Sequence, residues 1–529
     1  MIAWYQCHSM ENVDCMAAKF KVVDLFAGPG GLAEGFSSIK GADDRRVFDV
    51  TLSVEKEASA HRTLRLRSFV RQFDTPPASY YDYVDGRISF AALTSAHPAE
   101  WEAAIAEARM LELGTPEAQQ ELDPILDRLR NGQTPTVLIG GPPCQAYSLV
   151  GRARNKGISG YDPTKDHRHF LYREYIRIIE RLQPAAFVME NVKGILSSKV
   201  GKDSIFKQIL ADLDAAGGQP ESYVLLPVVR SDEAGPKRFI VRCEDFGVPQ
   251  CRHRVIIIGV RSDLARDIPD NLKDGLLERL AHQTTVEATI KGLAALRSGL
   301  SKEPDGAAEW QIAASAAMET AADACRAEDL KDVRRLLLGT ADELSRRRQP
   351  AGRQSRTLST PTDNELADWL VDPELKSLPN HETRGHMRAD LSRYAFAAAF
   401  AHVFERSPKA SEFPELLAPN HGNWKSGKFA DRFRVQIWGR PSTTVTSHIS
   451  KDGHYFIHPD LSQCRSLTVR EAARLQTFPD NYLFEGNRTQ QFVQVGNAVP
   501  PLVAKQIAGG LAELLSPLLE QAEIQLETC

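Results

Sequence analysis

Residues 19–36 read KFKVVDLFAGPGGLAEGF, and this stretch decides the fold class. Its first residues form a short apolar run rich in valine, which predicts a buried strand. The glycines and the proline that follow predict a turn, and the remaining residues predict a helix. Glycines at such a junction let the backbone approach a ligand, and the first turn of a helix offers free N–H groups. The stretch therefore indicates an α/β domain that binds a ligand at this turn.

The same alternation of strand and helix continues along the chain. VFDVTLSVEKEASAHRTLRL (47–66) repeats the order and places Glu55 at the end of its strand, where a carboxylate can bind ribose hydroxyls. Further apolar strands and one helical pattern follow in TPTVLIGG (134–141), FLYREYIRIIERL (170–182), PAAFVMENV (184–192) and RVIIIGV (254–260). Strands that alternate with helices predict a mostly parallel sheet with helices on both faces. We therefore predict one α/β domain over residues 17–262.

Other segments interrupt or extend this domain. Residues 1–16 form an N-terminal extension, and residues 89–133, rich in alanine and glutamate, are predicted to be a helical insertion. Residues 263–345 are helical in pattern and acidic, whereas residues 345–440 carry 16 Lys and Arg against 11 Asp and Glu. This change of charge predicts a separate module with a basic face, although cations spread around a solvated surface would give the same count.

Composition limits the class of protein. The 529 residues have a formal net charge of −4, so any affinity for nucleic acid must come from local basic patches. The eight cysteines form no CxxC or Cys/His cluster, so we expect no metal site. We expect no signal peptide, because the first twenty residues contain acidic residues and lack a long apolar core, and the sequence has no run of about 18 apolar residues. We expect a cytoplasmic protein without membrane contact.

Six stretches together resemble, in order and spacing, the motifs of the DNA (cytosine-5)-methyltransferase family. They are DLFAGPGG (24–31), GGPPCQAYS (140–148), ENV (190–192), QCRHRV (250–255), RSLTVREAARLQTFPD (465–480) and QVGNAVPP (494–501). The resemblance implies a Rossmann-like methyltransferase fold with an inserted target-recognition domain. It assigns residues 263–464 to that domain and residues 465–529 to a return to the catalytic domain.

The activity implied by this resemblance is methyl transfer to C5 of a flipped-out cytosine in a specific double-stranded DNA sequence. The C5 atom becomes nucleophilic only after a thiolate adds to C6, and Cys144 is suited to that addition. Glu190 would bind N3 of the ring and donate a proton. Arg252 and Arg254 alternate on one predicted strand face. By resemblance, Arg252 contacts the carbonyl oxygen of the base and Arg254 is a partner of carboxylates.

The methyl donor implied by the resemblance is S-adenosyl-L-methionine. The residues expected around it are Phe26, Gly28, Pro29, Gly31, Leu32, Glu55, Pro143, Asn497 and Val499. One cofactor motif of the family, Gly-Asp-Ile, has no clear counterpart here. The nearest match is DGRIS (85–89), in which Arg87 stands where an aspartate is expected and Asp85 is the available carboxylate.

Contacts to DNA are expected from two places. The stretch that follows Cys144 is polar, basic and rich in glycine, as in the family loop that closes over an extruded base. Ser148, Arg152 and Arg154 are the candidates there. By position, Thr444 and Val445 resemble a short pair that lies beside the flipped base.

Other functions stay open at this point. A tRNA cytosine-5 methyltransferase could use the same catalytic domain, although the long variable region and PPCQ favour DNA. A non-catalytic DNA-binding module would be expected to have lost Cys144, Glu190 or Arg252, and all three are present. A nicotinamide or flavin oxidoreductase conflicts with the glycine spacing. We expect a monomer in a restriction-modification or phage-defence setting, with other defence proteins as further candidate partners.

Overall fold

The computed structural model describes residues 20–143, 171–200, 203–231, 233, 235–349, 351–420, 424 and 432–517. Four predicted functional residues lie outside this part of the chain: Cys144, Ser148, Arg152 and Arg154. The predicted extension over residues 1–16 also lies outside it.

The strands and helices follow the alternation expected from the sequence. The strands are β1 (Phe20–Leu25), β2 (Phe48–Glu55), β3 (Ala108–Met110), β4 (Thr136–Gly140), β5 (Ala186–Val192), β6 (Lys199–Val200), β7 (Asp203–Ser204), β8 (Tyr223–Pro227), β9 (Ile240–Arg242), β10 (Gln250–Cys251), β11 (His253–Arg261), β12 (Gly299–Leu300), β13 (Gly385–His386) and β14 (Ser442–Thr443). The helices are α1 (Gly31–Ser37), α2 (Ala58–Arg71), α3 (Ala78–Val84), α4 (Phe90–Ala96), α5 (Pro98–Glu107), α6 (Pro116–Arg130), α7 (Leu171–Leu182), α8 (Ile205–Asp214), α9 (Asp270–Lys273), α10 (Val286–Ile290), α11 (Ala307–Ala324), α12 (Lys331–Arg346), α13 (Asn364–Leu370), α14 (Arg388–Phe404), α15 (Val469–Leu475), α16 (Arg488–Asn497) and α17 (Pro501–Leu514).

An eight-stranded sheet forms the centre of the catalytic part. Its order is β3-β2-β1-β4-β5-β11-β8, and β9 pairs with β11 beyond the end of β8. The pairs among β1 to β5 are parallel, whereas β11 runs antiparallel to β5, β8 and β9. The sheet is therefore mostly parallel, as predicted. The strand order reverses between β1 and β4, and such a reversal opens a crevice at the carboxyl ends of the strands.

Helices cover both faces of this sheet. On one face, α1 and α17 pack against apolar side chains of β1, β4, β5 and β11. On the other face, α6, α7 and α8 contribute a second apolar cluster. Removal of these side chains from water supplies the main stabilisation, at roughly 25 cal/mol per Å² of apolar surface. The mostly parallel sheet with helices on both faces is confirmed, and so is the Rossmann-like fold that the resemblance implied.

The segment 89–133 differs in one respect from the prediction of a helical insertion. It supplies β3, which pairs in parallel with the end of β2, as well as α4, α5 and α6. Leu122 and Leu126 of α6 are fully buried under the sheet. Part of this segment thus belongs to the central fold. A strand of three residues between two helices has too short a pattern to be detected from sequence.

Residues 300–464 contain a third apolar cluster, separate from the two that cover the sheet. Helices α11, α12 and α14 pack together around Trp310 and a run of buried alanines. A further cluster joins α10 to α15 and α16. Thr468 caps the N-terminus of helix α15: its side chain accepts from the Glu471 N–H while Glu471 accepts from the Thr468 N–H.

Among the described residues, no helix combines the length and apolar character that a membrane crossing would need.

Four buried histidines lie among these helices: His381, His386, His454 and His458. The Ser466 N–H donates to Nε2 of His386, and the Asp460 N–H donates to Nδ1 of His458, so both rings accept and are neutral. Burial lowers the pKa of His381 and of His458 to about 4, and it lowers the pKa of His386 and His454 as well.

We expect stability to fall with acidification before the carboxylates titrate. The unfolded chain binds protons on these histidines below pH 6.5, whereas the folded chain excludes them until about pH 4. Each unit of pKa shift corresponds to about 1.4 kcal/mol. Urea unfolding should therefore show constant stability above pH 6.5 and a steady loss down to about pH 5, where ordinary carboxylates are still ionised. The exposed His402→Gln variant should keep this profile. A flat profile between these values would contradict the prediction.

Candidate active site

The turn after β1 leaves an open space at the carboxyl edge of the sheet. Phe26, Gly28 and Gly30 have φ angles of 56°, 58° and 100°, in the left-handed region. This conformation is uncommon for a bulky residue such as Phe26, and it tends to persist at functional sites. A Cβ atom on Gly28 would meet no atom within 4 Å. The backbone at Gly28 is therefore accessible to a ligand.

Glu55 is fixed beside this turn. Its carboxylate accepts the Gly28 N–H at 2.9 Å and the Glu57 N–H at 2.7 Å. Burial raises the pKa of Glu55, although these backbone N–H groups act in the opposite direction. The two bonds aim the carboxylate at the crevice, and its remaining lone pairs can accept hydroxyl groups of a sugar.

The C-terminal stretch returns to the same turn, as the sequence predicts. A Cβ on Gly31 would lie 2.3 Å from the carbonyl oxygen of Val499, so only glycine permits this approach. The carbonyl of Pro29 accepts the hydroxyl of Tyr482. Asn497 is exposed at the end of α16.

The side chain of Leu32 faces the protein core. Its side chain is 5% exposed and packs in the apolar cluster between α1 and the sheet. Residues on the inner face of the first helical turn point towards the core, so Leu32 contributes to packing. Phe26, by contrast, is only partly buried and remains at the crevice.

Asp85 also lies away from the expected place. Its carboxylate binds Arg87 at 2.6 Å and accepts the hydroxyl of Ser377, at the end of α3. The residue that follows β3 at the carboxyl edge is instead Leu111, whose N–H donates to the Glu55 carbonyl at 3.2 Å. The exposed Glu112 comes next. The sequence signal was the stretch ARMLELG, which is too short to reveal a strand.

Gly141, Pro142 and Pro143 lie beside Glu190. A Cβ on Gly141 would be 2.7 Å from Oε2 of Glu190. The side chain of Asn191 donates to the Pro142 carbonyl at 3.1 Å and so ties this segment to β5. Pro143 is the last described residue before Cys144.

Glu190 forms an ion pair with Arg254. The Nε atom of Arg254 lies 2.7 Å from Oε1 of Glu190, and both side chains are 13% exposed. Arg254 also donates to the carbonyl of His253 at 2.9 Å. The pair is partly open to solvent at the crevice, where a polar ring could reach both groups.

Arg252 occupies a different environment from the one expected. It is 1% exposed and donates to the carbonyls of Val445 at 2.7 Å, Gly496 at 3.2 Å and Ala498 at 2.7 Å. Burial, together with the nearby Arg254, lowers the pKa of Arg252 to about 9. Arg252 and Arg254 do not share one strand, because β10 ends before Arg252 and β11 begins after it. Its donors serve the backbone, which does not fit a contact to a base.

Thr444 is likewise engaged within the protein. Its hydroxyl donates to the Cys251 carbonyl at 2.5 Å. The preceding strand β14 pairs in parallel with β10. The N–H of Val445 donates to Oε1 of Gln250 at 2.8 Å. Residues 444–445 therefore lie at the end of β10, next to the segment that carries Arg252.

Gln476 also belongs to this region, although it is not among the site residues predicted from the sequence. It accepts from Gln250 at 2.7 Å and donates to Val495 at 2.8 Å and to Ala498 at 3.0 Å. We call Gln250, Arg252 and Gln476 the buried amide-guanidinium network. It joins residues 250–252, 445, 476 and 495–498, which are far apart in the sequence. The available signal was a polar residue within the motif at 465–480, but the sequence alone does not show whether such a side chain stabilises the fold or takes part in function.

The fold and the site together define a class of enzyme. A glycine turn with a fixed carboxylate marks a nucleoside-type ligand site, and a carboxylate-arginine pair lies two strands away in the same crevice. The family model for C-5 cytosine-specific DNA methylase matches residues 118–314 and 337–513.

Similar proteins cover nearly the whole chain. The type II methyltransferase M.Bpa9945I of Bacillus paralicheniformis is 33% identical over 94% of this chain and 99% of its own length. The type II methyltransferase M.AgeI of Thalassovita gelatinovora is 28% identical over 92% and 98%. The DNA (cytosine-5-)-methyltransferase M.ApeKI of Aeropyrum pernix is 28% identical over 73% and 82%. The chain belongs to the C-5 cytosine-specific DNA methylase family, and it is an enzyme that methylates cytosine at C5 in DNA.

Matched lysine substitutions should separate the two arginines. Arg252→Lys loses the planar fork that reaches three carbonyls, and each buried carbonyl left without a donor costs about 1 kcal/mol or more. We expect urea unfolding to show a loss of about 2 kcal/mol for this variant. Arg254→Lys keeps a cation beside Glu190, so its stability should stay near that of the parent while turnover falls. Equal stability of Arg252→Lys and the parent would contradict the assignment.

Proposed function

We propose that this enzyme takes its methyl group from S-adenosyl-L-methionine and acts on a cytosine extruded from double-stranded DNA. The observation that carries the proposal is the position of the Glu190–Arg254 pair, directly beside Gly141–Pro143 and in the same crevice as Glu55. Cys144 is the next residue after Pro143.

The residues at the glycine turn fit the proposed donor. The open space at Gly28 would receive the methionine end, Glu55 would accept the ribose hydroxyls, and Phe26 would pack against the adenine or sulfonium. Pro143, Asn497 and the backbone of Val499 would complete the wall, with Glu112 rather than Asp85 near the adenine. S-adenosyl-L-methionine would supply a methyl group bound to a sulfonium sulfur, and transfer of that methyl group to a nucleophilic carbon releases S-adenosyl-L-homocysteine as a neutral thioether.

The chain's own groups would prepare the cytosine. The Cys144 thiolate forms a bond to C6, and Glu190, which takes up a proton as the base enters beside Arg254, donates that proton to N3 as electrons move into the ring. C5 then takes the methyl group. Loss of the C5 proton to a base from solvent, departure of the thiolate from C6 and return of the N3 proton to Glu190 restore the aromatic ring and the free enzyme. In this scheme Arg254 orients Glu190 and faces the carbonyl oxygen of the base, while Arg252 is a positioning residue.

The base must leave the helix because its C6 atom is inaccessible in stacked DNA. We assign closure over the DNA to the loop after Cys144, with Ser148, Arg152 and Arg154 as its contacts. Residues 263–464 would form the target-recognition domain. The backbone at Thr444 and Val445 would lie beside the extruded base, with the Thr444 hydroxyl committed to Cys251.

The biological setting follows from the relatives. M.Bpa9945I and M.AgeI are type II methyltransferases, and M.Bpa9945I is similar over nearly its full length. We propose that this enzyme is the modification enzyme of a restriction-modification or phage-defence system, a cytoplasmic monomer with other proteins of that system as candidate partners. Bisulfite sequencing of DNA from cells that express it would reveal its recognition sequence.

Cys144→Ser should abolish methyl transfer. A serine hydroxyl is far less ionised than a thiol and cannot add to C6. Tritium transfer from labelled donor to unmethylated genomic DNA should disappear, as should covalent trapping on a 5-fluorocytosine duplex. Cys251→Ser, at the exposed cysteine of β10, is the matched control and should retain both. Near-normal turnover of Cys144→Ser would refute the assigned nucleophile.

Glu55→Gln should weaken donor binding. The charged acceptor for the ribose becomes neutral, and a hydrogen bond to a charged group contributes about 1.5–3 kcal/mol, which corresponds to a rise of about tenfold or more in Kd. Calorimetric titration with S-adenosyl-L-homocysteine measures this change. Glu117→Gln, at an exposed position of α6, should bind normally. Unchanged affinity of Glu55→Gln would remove Glu55 from the site.

A further inference from the structure

Two exposed cations flank the end of β11 that carries Arg254. Arg254 pairs with Val192 on one side and with Val241 on the other. Lys193 is the residue after Val192, and Arg242 is the last residue of β9, opposite His253. Both side chains are exposed. The carboxyl edge at the catalytic pair therefore has a cation on each side.

These cations are not neutralised by neighbouring carboxylates. Within the described residues, neither Lys193 nor Arg242 has an ion pair or a side-chain hydrogen bond. Glu190 is already paired with Arg254, and the buried Glu244 binds His253 at 2.7 Å. The exposed Lys237, in the turn that leads into β9, adds a further positive charge, although Asp232 and Glu233 precede it in the sequence. The positive charge at this edge of the sheet therefore comes from Lys193 and Arg242 themselves.

The spacing suits the backbone of an extruded nucleotide. Neighbouring strands lie about 4.8 Å apart, so the backbones at Val192 and Val241, the residues before Lys193 and Arg242, are separated by about 10 Å across β11. A base that reaches Glu190 remains joined to a phosphate on each side of its sugar. Those phosphates must pass close to this edge, because the extruded base rotates about its own backbone.

We propose that Lys193 and Arg242 bind the DNA phosphates that flank the extruded cytosine. The proposal rests on the proposed function and adds a contact surface to it. Contacts of this kind fix the register of the duplex on the enzyme and carry no sequence information. Each one releases counterions from the DNA, so each contributes to the salt dependence of binding.

The test measures binding of a fluorescein-labelled duplex that contains the recognition sequence found by bisulfite sequencing, by anisotropy over a series of salt concentrations. The logarithm of the affinity should fall less steeply with the logarithm of salt in Lys193→Ala/Arg242→Ala, by about 0.9 per lost contact and so by about 2 in total. Lys193→Arg and Arg242→Lys keep the charge and should keep the slope.

Arg266→Ala is the matched control. Arg266 is exposed and follows β11 at the opposite edge of the sheet, so its loss should leave the slope unchanged. A double variant with the slope of the parent overturns the proposal. Methyl transfer by the parent to unmethylated genomic DNA separates the two hypotheses. Transfer with an unchanged slope in the double variant defeats only the phosphate surface, whereas no transfer by the parent defeats the proposed function.

Discussion

One buried guanidinium connects the parts of this enzyme that are far apart in sequence. Arg252 donates to backbone carbonyls of Val445, Gly496 and Ala498, and within the described residues no carboxylate forms an ion pair with it. Burial of this cation costs free energy that the charge of Glu190 only partly offsets, and the cost appears as a lowered pKa. The three bonds recover part of that cost only when all three stretches are in place. These hydrogen bonds therefore favour the conformation in which all of these segments are in place together.

Several glycines of the motifs lie where another part of the chain comes very close to the backbone. A Cβ on Gly31 would collide with the carbonyl of Val499, and one on Gly496 would lie 2.2 Å from the Ser447 nitrogen. Gly140 meets the carbonyl of Leu25, while Gly141 leaves room for the Glu190 carboxylate. These glycines are needed because another part of the chain occupies the volume of a side chain. The paired glycines that precede the two prolines and Cys144 thus bring that segment against β1 and β5 at once.

Local signals in the sequence were sufficient for most of the fold and for part of the site. The strand-turn-helix unit after Phe20 and the cap at Thr468 follow from residue type and spacing, and the structure has both. β3 was missed because three residues carry no periodicity. The alternation of Arg252 and Arg254 is typical of a continuous strand, and it therefore predicts that both side chains lie on one strand face. The break between β10 and β11 is set by the tertiary pairing of β10 with β14, which no local pattern encodes.

The buried amide-guanidinium network connects the segment expected beside the base with the proposed site of the methyl donor. Gln250 receives the N–H of Val445 while Arg252 binds its carbonyl, so the segment expected beside the base is fixed from both sides. Gln476 and Arg252 both donate to Ala498, the residue before Val499, whose carbonyl touches Gly31 at the glycine turn. A displacement of the segment at Val445 would therefore alter the contacts of Arg252 with Ala498, which lies next to the glycine turn proposed to bind the methyl donor. Because methyl transfer needs two reactants in register, a rigid link of this kind reduces the motion that would separate them.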